Sequence, residues 1–285
     1  MNVNYFYQPV SSITKLAVGL KEILVNAKTN YQHVIIAELY EYGLSLILDD
    51  LIQVAEADEA FYHEALVHPA LFLHGDPKKV LIIGGGDGCA AREVLKHNVE
   101  LIKLVDIDGE LVELCKKYLK RINQGALENE KVEVIIMDGK EFIEKENQIY
   151  DIIILDLTDP FGPEISKELY SEKFYNKIKR ILDSDGILVT QAGTAFYYTE
   201  VYDSVLNNLK NVFKFVKDYE NWIPSFGYSC CFILASDKHD VRHINEDVLE
   251  ERIKRKKIEL RFYSKDTHIS LFKRRITRNL ISSIF

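Results

Sequence analysis

The stretch "KVLIIGGGDGCAAREVLKH", residues 79–97, decides how the rest of the chain is read. Val80 to Ile83 form an unbroken apolar run, the pattern of a strand buried on both faces. Glycines at 84, 85, 86 and 88 make a tight turn, and "CAAREVLKH" follows with helical spacing. From about Lys79 onward the same alternation repeats. "IKLVDI", "VEVIIMD", "YDIIILD" and "GILVTQA" read as strands. The helical patterns are "GELVELCKKYLKRI", "GKEFIEKE", "SKELYSEKFYNKIKRIL" and "YYTEVYDSVLNNLKNVF", and "KFVKDYEN" and "YSCCFILASD" read as two last strands. Such alternation predicts an α/β fold, a mainly parallel sheet with helices on both faces. Ligands of such sheets bind beyond the carboxyl ends of the strands, at the topological switch point.

The first ~75 residues have another character. "YQHVIIAELYEYGLSLILDDLIQVAEADE" is rich in Val, Ile, Leu and Tyr, with turn signals at Glu41-Tyr42-Gly43 and Asp49-Asp50. It predicts a small antiparallel β unit. "EADEAFYHEALVHPALFLH" then reads as a helix leading into the linker "GDPKK".

Bulk properties bound the function. The 285 residues are 47% hydrophobic and 28% charged, enough for a large core. No apolar run approaches the ~20 residues of a membrane span, and "MNVNYFYQPVSS" lacks the basic start and apolar core of a signal peptide. The expectation is a soluble cytoplasmic protein. A net charge of −8 makes nucleic acid an unsuitable partner. The basic run "EERIKRKKIELR" alternates with acidic residues and reads as a solvated helix face. Cys89, Cys115, Cys230 and Cys231 form no C-x-x-C pair and, with the eight histidines, no zinc spacing. They read as buried apolar residues, and no metal is expected.

The glycine loop carries the first chemical signal. Its glycines fall as Gly84-x-Gly86-x-Gly88, whereas a G-x-G-x-x-G dinucleotide fingerprint would need glycine at Cys89. A tight turn with no ligand is one reading. Asp87 favours another, because a carboxylate in the loop would repel a pyrophosphate by roughly 4 kcal/mol at ~4 Å and an effective dielectric of about 20. The loop should face a neutral or cationic group. The next strand ends in Asp106, eighteen residues after Gly88 and near the usual place of a ribose-binding acid. The following strand ends in Asp138-Gly139, and "YDIIILDLTDPFGPE", residues 150–164, ends in Asp156 and Asp159. Carboxylates thus recur at the ends of four consecutive strands. Any one of them suits a helix cap, and for Asp138 capping stands beside ligand binding. Together they describe a crevice that concentrates cations, suited to a sulfonium and an amine.

These residues together resemble the polyamine aminopropyltransferases, the spermidine synthase family. The family's glycine loop reads GGGDG, as Gly84 to Gly88 does. Its catalytic segment has the form D-x-[ST]-D-P-x-G-P, matched by Asp156 to Pro163. A further segment, I-Q-x-x-E-x-D-E-x-x-Y-H-E, matches Ile52 to Glu64. The similarity runs from about residue 30 to about residue 275. The resemblance implies a Rossmann-like sheet of the class I methyltransferase type over residues 76–285. Residues 1–75 would be a small N-terminal antiparallel β domain and its helix, joining subunits into a homodimer or homotetramer. It implies no prosthetic group, with decarboxylated S-adenosylmethionine as co-substrate and a small polyamine as acceptor. Gln32, Asp106, Asp138, Gly139 and Pro163 would hold the thioadenosine part, and Asp87 the amine of the aminopropyl group. Gln53, Tyr62, His63 and Asp159 would line the acceptor and transfer region, and Asp156 would take the proton. Tyr62 and His63 also suit packed roles, as a core aromatic and a neutral buried imidazole.

"DGCAAREVLKH", "DLTDP", "TQAG" and "IPSF…ASD" are similar to the thermospermine-synthase-like proteins and their prokaryotic relatives. Mainstream spermidine synthases carry Ser or Cys where Leu157 stands and Tyr where Phe226 stands. The acceptor is therefore open among putrescine, agmatine and spermidine. Two other readings compete: an S-adenosylmethionine-dependent methyltransferase and a catalytically silent Rossmann-like regulatory subunit.

Overall fold

The computed structural model describes residues 3–159, 168–242 and 245–280. Two sheets organise them. The first is antiparallel, in the order β1 (Asn4–Pro9), β2 (Lys15–Lys28), β3 (His33–Leu39), β4 (Gly43–Leu48) and β5 (Leu51–Ala55). β4 and β5 are joined by Asp49-Asp50 alone, both with positive φ, 46° and 68°. That geometry is the two-residue hairpin whose twist matches the flanking strands. The sequence pattern located β3, β4 and β5 but gave no sign of β1 and β2. β2 is mostly exposed along its 14 residues and its pairing with β3 has two register shifts, so its apolar residues never settle into a period of two.

The second sheet has seven strands in the order β11-β12-β10-β9-β6-β7-β8. These are β6 (Lys79–Gly84), β7 (Leu101–Asp106), β8 (Val132–Ile136), β9 (Tyr150–Asp156), β10 (Leu182–Gln191), β11 (Phe215–Ile223) and β12 (Tyr228–Ser236). β8, β7, β6, β9 and β10 run parallel, β12 runs antiparallel between β10 and β11, and β11 points the same way as the parallel strands. The chain leaves β6 toward β7 on one side and returns to β9 on the other, so the switch point lies between β6 and β9.

Alternating strand residues feed two cores. Val80, Ile82, Leu104, Ile152 and Ile154 share one with α1 (Glu59–His74), α2 (Cys89–Leu95) and α3 (Gly109–Tyr118). Leu81, Ile83, Val105, Ile153 and Leu155 share the other with α5 (Gly139–Lys145), α6 (Glu172–Ile181) and α7 (Thr199–Val212). The helix α1 packs against β9, β10, β11 and α2, placing its N-terminal turn over the end of the large sheet.

Two predicted helices differ in detail. "GELVELCKKYLKRI" breaks at Leu119 into α3 and a short α4 (Lys120–Asn123). The Asn123 amide donates to the carbonyls of Cys115 and Asp87, so the break ties this segment to the glycine loop. Within "SKELYSEKFYNKIKRIL" the helix α6 begins at Glu172, where the Ser171 hydroxyl caps the Phe174 N–H at 3.2 Å.

All four cysteines are free and buried. The basic run forms α8 (Glu246–Lys256), with Leu249 its buried residue, and leaves the helix at Lys257 in the left-handed region. A last helix, α9 (Lys265–Lys273), packs on β11. The segment between α8 and α9 is pinned by buried Glu64, which accepts the N–H groups of Arg261, Phe262 and Tyr263. Among the described residues no helix is long and apolar enough to cross a membrane.

Candidate active site

A cavity of about 430 Å³ opens at the carboxyl ends of β6, β7, β8 and β9, within the range of small-ligand sites. Two glycines show why its loop must be glycine-rich. At Gly84, with φ +83°, a Cβ would lie 2.1 Å from the Asp156 carbonyl oxygen, and the Gly85 N–H donates to that oxygen at 3.0 Å. At Gly86 a Cβ would lie 2.7 Å from Asp106 Oδ2. The glycines let two carboxylate-bearing strands close on one loop.

At one end, Asp106 accepts from the N–H groups of Gly86 and Asp108 at 3.0 and 2.9 Å. Burial still pushes its carboxyl up to about 6. Gln32 reaches over this end from the N-terminal sheet, its amide on Asp108 Oδ2 at 2.8 Å. Asp138 caps α5 through Oδ1, on the N–H groups of Lys140 and Glu141, so the capping reading holds for one of its oxygens. Asp138 and Gly139 both line the cavity.

At the other end, Tyr62 Oη donates to Asp156 Oδ1 at 2.8 Å, while its ring packs on Phe226 and Phe232. Asp156 Oδ2 is buried with no hydrogen-bond partner among the described residues. An anionic oxygen so placed is costly until a cation or a proton arrives. Burial, reinforced by Asp87, raises Asp156 to about 6, against the opposing hydrogen bond from Tyr62. Burial also raises Asp159 to about 6, and Tyr228 donates to its Oδ2 at 3.2 Å. Gln53 lines the same end from β5.

His63 has one consistent tautomer. Its Nδ1 lies 2.9 Å from the Glu59 carbonyl and 3.1 Å from Glu59 Oε2, so Nδ1 carries the proton. Nε2 then presents a lone pair, 3.8 Å from Asp87 Oδ1. Burial lowers the imidazole's pKa and keeps it neutral. Arg92 holds Glu59 through two bonds of 3.0 and 2.6 Å. His63, Asp87 and Asp156 offer acceptor atoms within 4.8 Å of one another, a pocket for a positively charged centre.

The structure thus brings Gln32, Gln53, Tyr62, His63, Asp87, Asp106, Asp138, Gly139, Asp156 and Asp159 to one crevice. Pro163 lies outside the described residues. Sequence reasoning missed Asp108, Gln191, Tyr170 and Tyr228. Asp108 caps α3 through the Leu111 N–H and orients both Thr29 and Gln32. Its place just before "GELVEL" was a readable capping signal. Gln191 donates to the Leu157 carbonyl and Tyr170 to that of Thr158, fixing the turn between the two acids. Tyr228 brings a hydroxyl to Asp159 from two residues past Phe226, a position that carries no hydroxyl of its own.

Comparison with known proteins shows the family. Residues 59–246 match the family described as the spermine/spermidine synthase domain. Residues 10–56 match the spermidine synthase tetramerisation domain. A polyamine aminopropyltransferase of Pyrobaculum aerophilum is 44% identical over 278 residues, 96% of each chain. Polyamine aminopropyltransferase 1 of Hyperthermus butylicus is 43% identical over 269 residues, 93% of this chain and 92% of that one. A crystal structure of spermidine synthase in complex with the transition state analogue AdoDATO superimposes with a TM-score of 0.90 and 29% identity, covering 95% of this chain and 92% of that one. Spermidine synthase from Thermotoga maritima gives a TM-score of 0.86 at 28% identity, covering 95% and 91%.

Proposed function

The chain belongs to the spermine/spermidine synthase family, the polyamine aminopropyltransferases, and from that membership we propose that it transfers the aminopropyl group of decarboxylated S-adenosylmethionine to a polyamine. The observation that carries this reading is the buried Oδ2 of Asp156, without a hydrogen-bond partner among the described residues, in an acidic crevice. Asp106, Asp138, Gly139, Gln32 and Pro163 would hold the nucleoside. Asp87 and the Nε2 lone pair of His63 would receive the ammonium of the aminopropyl arm. Gln53, Tyr62 and Asp159 would hold the acceptor.

The chemistry is an in-line displacement. The lone pair of a neutral amine forms a new C–N bond at the propyl carbon beside the sulfonium. The C–S bond breaks, its electrons neutralise the sulfur, and methylthioadenosine leaves. The nitrogen gives up one proton. A primary amine with a Lys-like pKa of ~10.4 is mostly protonated at pH 7, and making it neutral costs about 4–5 kcal/mol. Asp156, raised by burial and hydrogen-bonded by Tyr62, would take that proton. The N-terminal sheet would assemble subunits into a tetramer.

The deciding experiment incubates the protein with decarboxylated cofactor and putrescine, agmatine, cadaverine, spermidine or norspermidine, then identifies products by mass. An aminopropylated product with stoichiometric methylthioadenosine is expected, and its acceptor names the substrate. Methylation of an amine by the carboxylated cofactor would establish the methyltransferase reading. No methylthioadenosine with any amine would leave the silent subunit.

A pH dependence follows. Both Asp156 and Asp159 must be ionised, and both carboxyls stand near 6. kcat/KM should therefore fall below pH about 6 with a slope steeper than one on a logarithmic plot, and Asp159→Asn should return that slope to one. A single unit slope in the unmodified enzyme would remove one of the two acids from the scheme.

A further inference from the structure

Gln8 lies in β1, far in sequence from every residue of the crevice, and is 1% exposed. A buried amide is tolerated when its donors and acceptor are matched. Its Nε2 donates to the carbonyls of Ser225 and Phe226, each at 2.9 Å, and its Oε1 accepts the Ile52 N–H at 2.8 Å. Rotating the amide would set its oxygen against two carbonyls, so the network fixes one orientation.

Both anchored segments form the acceptor end. Leu46 pairs with Val54 and Ile47 with Ile52, which leaves Gln53 as the extra residue of a β-bulge. Bulges re-aim side chains beside binding sites, and here the bulge turns Gln53 to the crevice. The second segment is the turn 223–227, which carries Phe226 and leads into Tyr228, the partner of Asp159. Asp58, at the start of α1, grips the same turn through the Ser225 N–H and hydroxyl at 2.7 and 2.9 Å. Tyr42 adds a bond to the Pro224 carbonyl at 3.2 Å.

We propose that Gln8 is a positioning residue for the amine acceptor: it clamps the Gln53 bulge to the Phe226–Tyr228 turn and so sets which acceptors fit. It touches neither the acid that takes the proton nor the residues at the nucleoside end. The inference rests on the aminopropyl-transfer reading, and the two fail separately.

The test is Gln8→Leu, which keeps the volume and removes all three bonds. The KM for the preferred amine should rise at least tenfold and the spread of kcat/KM across the amine panel should narrow. kcat should stay within about threefold, and the Kd for methylthioadenosine within about twofold. Ser225→Ala removes one hydroxyl from the same turn, stands in if Gln8→Leu does not fold, and should raise the amine KM about threefold. Rises in amine KM and methylthioadenosine Kd in parallel, or a lowered Tm with an unchanged amine KM, would show a merely structural role and overturn the inference. An unmodified enzyme that releases no methylthioadenosine would instead sink the transfer reading itself.

Discussion

Asp156→Asn lowers kcat by two or more orders of magnitude and leaves the chain folded. Asparagine fills the same volume and still offers an oxygen to Tyr62 Oη, so the contact at 2.8 Å survives. What disappears is the atom able to take a proton, and positioned general bases contribute 10² to 10⁴ in rate. The same substitution should raise Tm at pH 8. The native carboxyl stands near 6, above the unfolded value of about 3.9. The folded state therefore binds the proton more tightly. Relative to acid, ionising Asp156 costs stability as pH rises from about 4 to 6, by about 1–3 kcal/mol. A neutral amide escapes that cost. Single-turnover rates and thermal melting of the variant measure both effects, and near-normal turnover would remove Asp156 as the base.

Asp87→Asn has the second large effect, on cofactor choice. Asp87 accepts the Cys89 N–H at 2.7 Å within the glycine loop, which an amide oxygen can also do. Its charge is what distinguishes cofactors. A carboxylate brought to ~4 Å of it at an effective dielectric near 20 is opposed by roughly 4 kcal/mol, close to a thousandfold in affinity. The unmodified protein should favour the decarboxylated cofactor by at least a hundredfold, and the variant should narrow that ratio at least tenfold. Competition calorimetry with the two cofactors measures it. An unchanged ratio would mean that Asp87 does not face the aminopropyl end.

The large sheet was legible because its central parallel strands β6 and β9 are buried on both faces, so Val80 to Ile83 and Ile152 to Leu155 read as continuous apolar runs. Carboxylates at the strand ends were legible for a related reason: the loops after buried strands are where charge becomes affordable. β2 was hidden by its own exposure, since its apolar residues, Ile23 and Leu24 among them, fall on both faces and carry no alternation. Tyr228 and Gln8 were hidden differently. Each acts on a residue distant in the chain, and nothing local to "YQP" or "GYS" announces the partner. The Glu59–Arg92 pair behind His63 belongs to this class as well, because its members stand 33 residues apart.

The strand order divides the crevice at its middle. Asp87, Asp106 and Asp138 stand at or just past the ends of β6, β7 and β8, while Asp156, Gln191 and Tyr228 belong to β9, β10 and β12. The halves meet along one seam, where Gly84 and Gly85 lie against Asp156. Duplicated genes could therefore drift apart in the amine half while the nucleoside half stays intact. Grafting residues 223–230 between paralogues should move amine preference without retuning the donor pocket, so long as a residue like Gln8 travels with the graft.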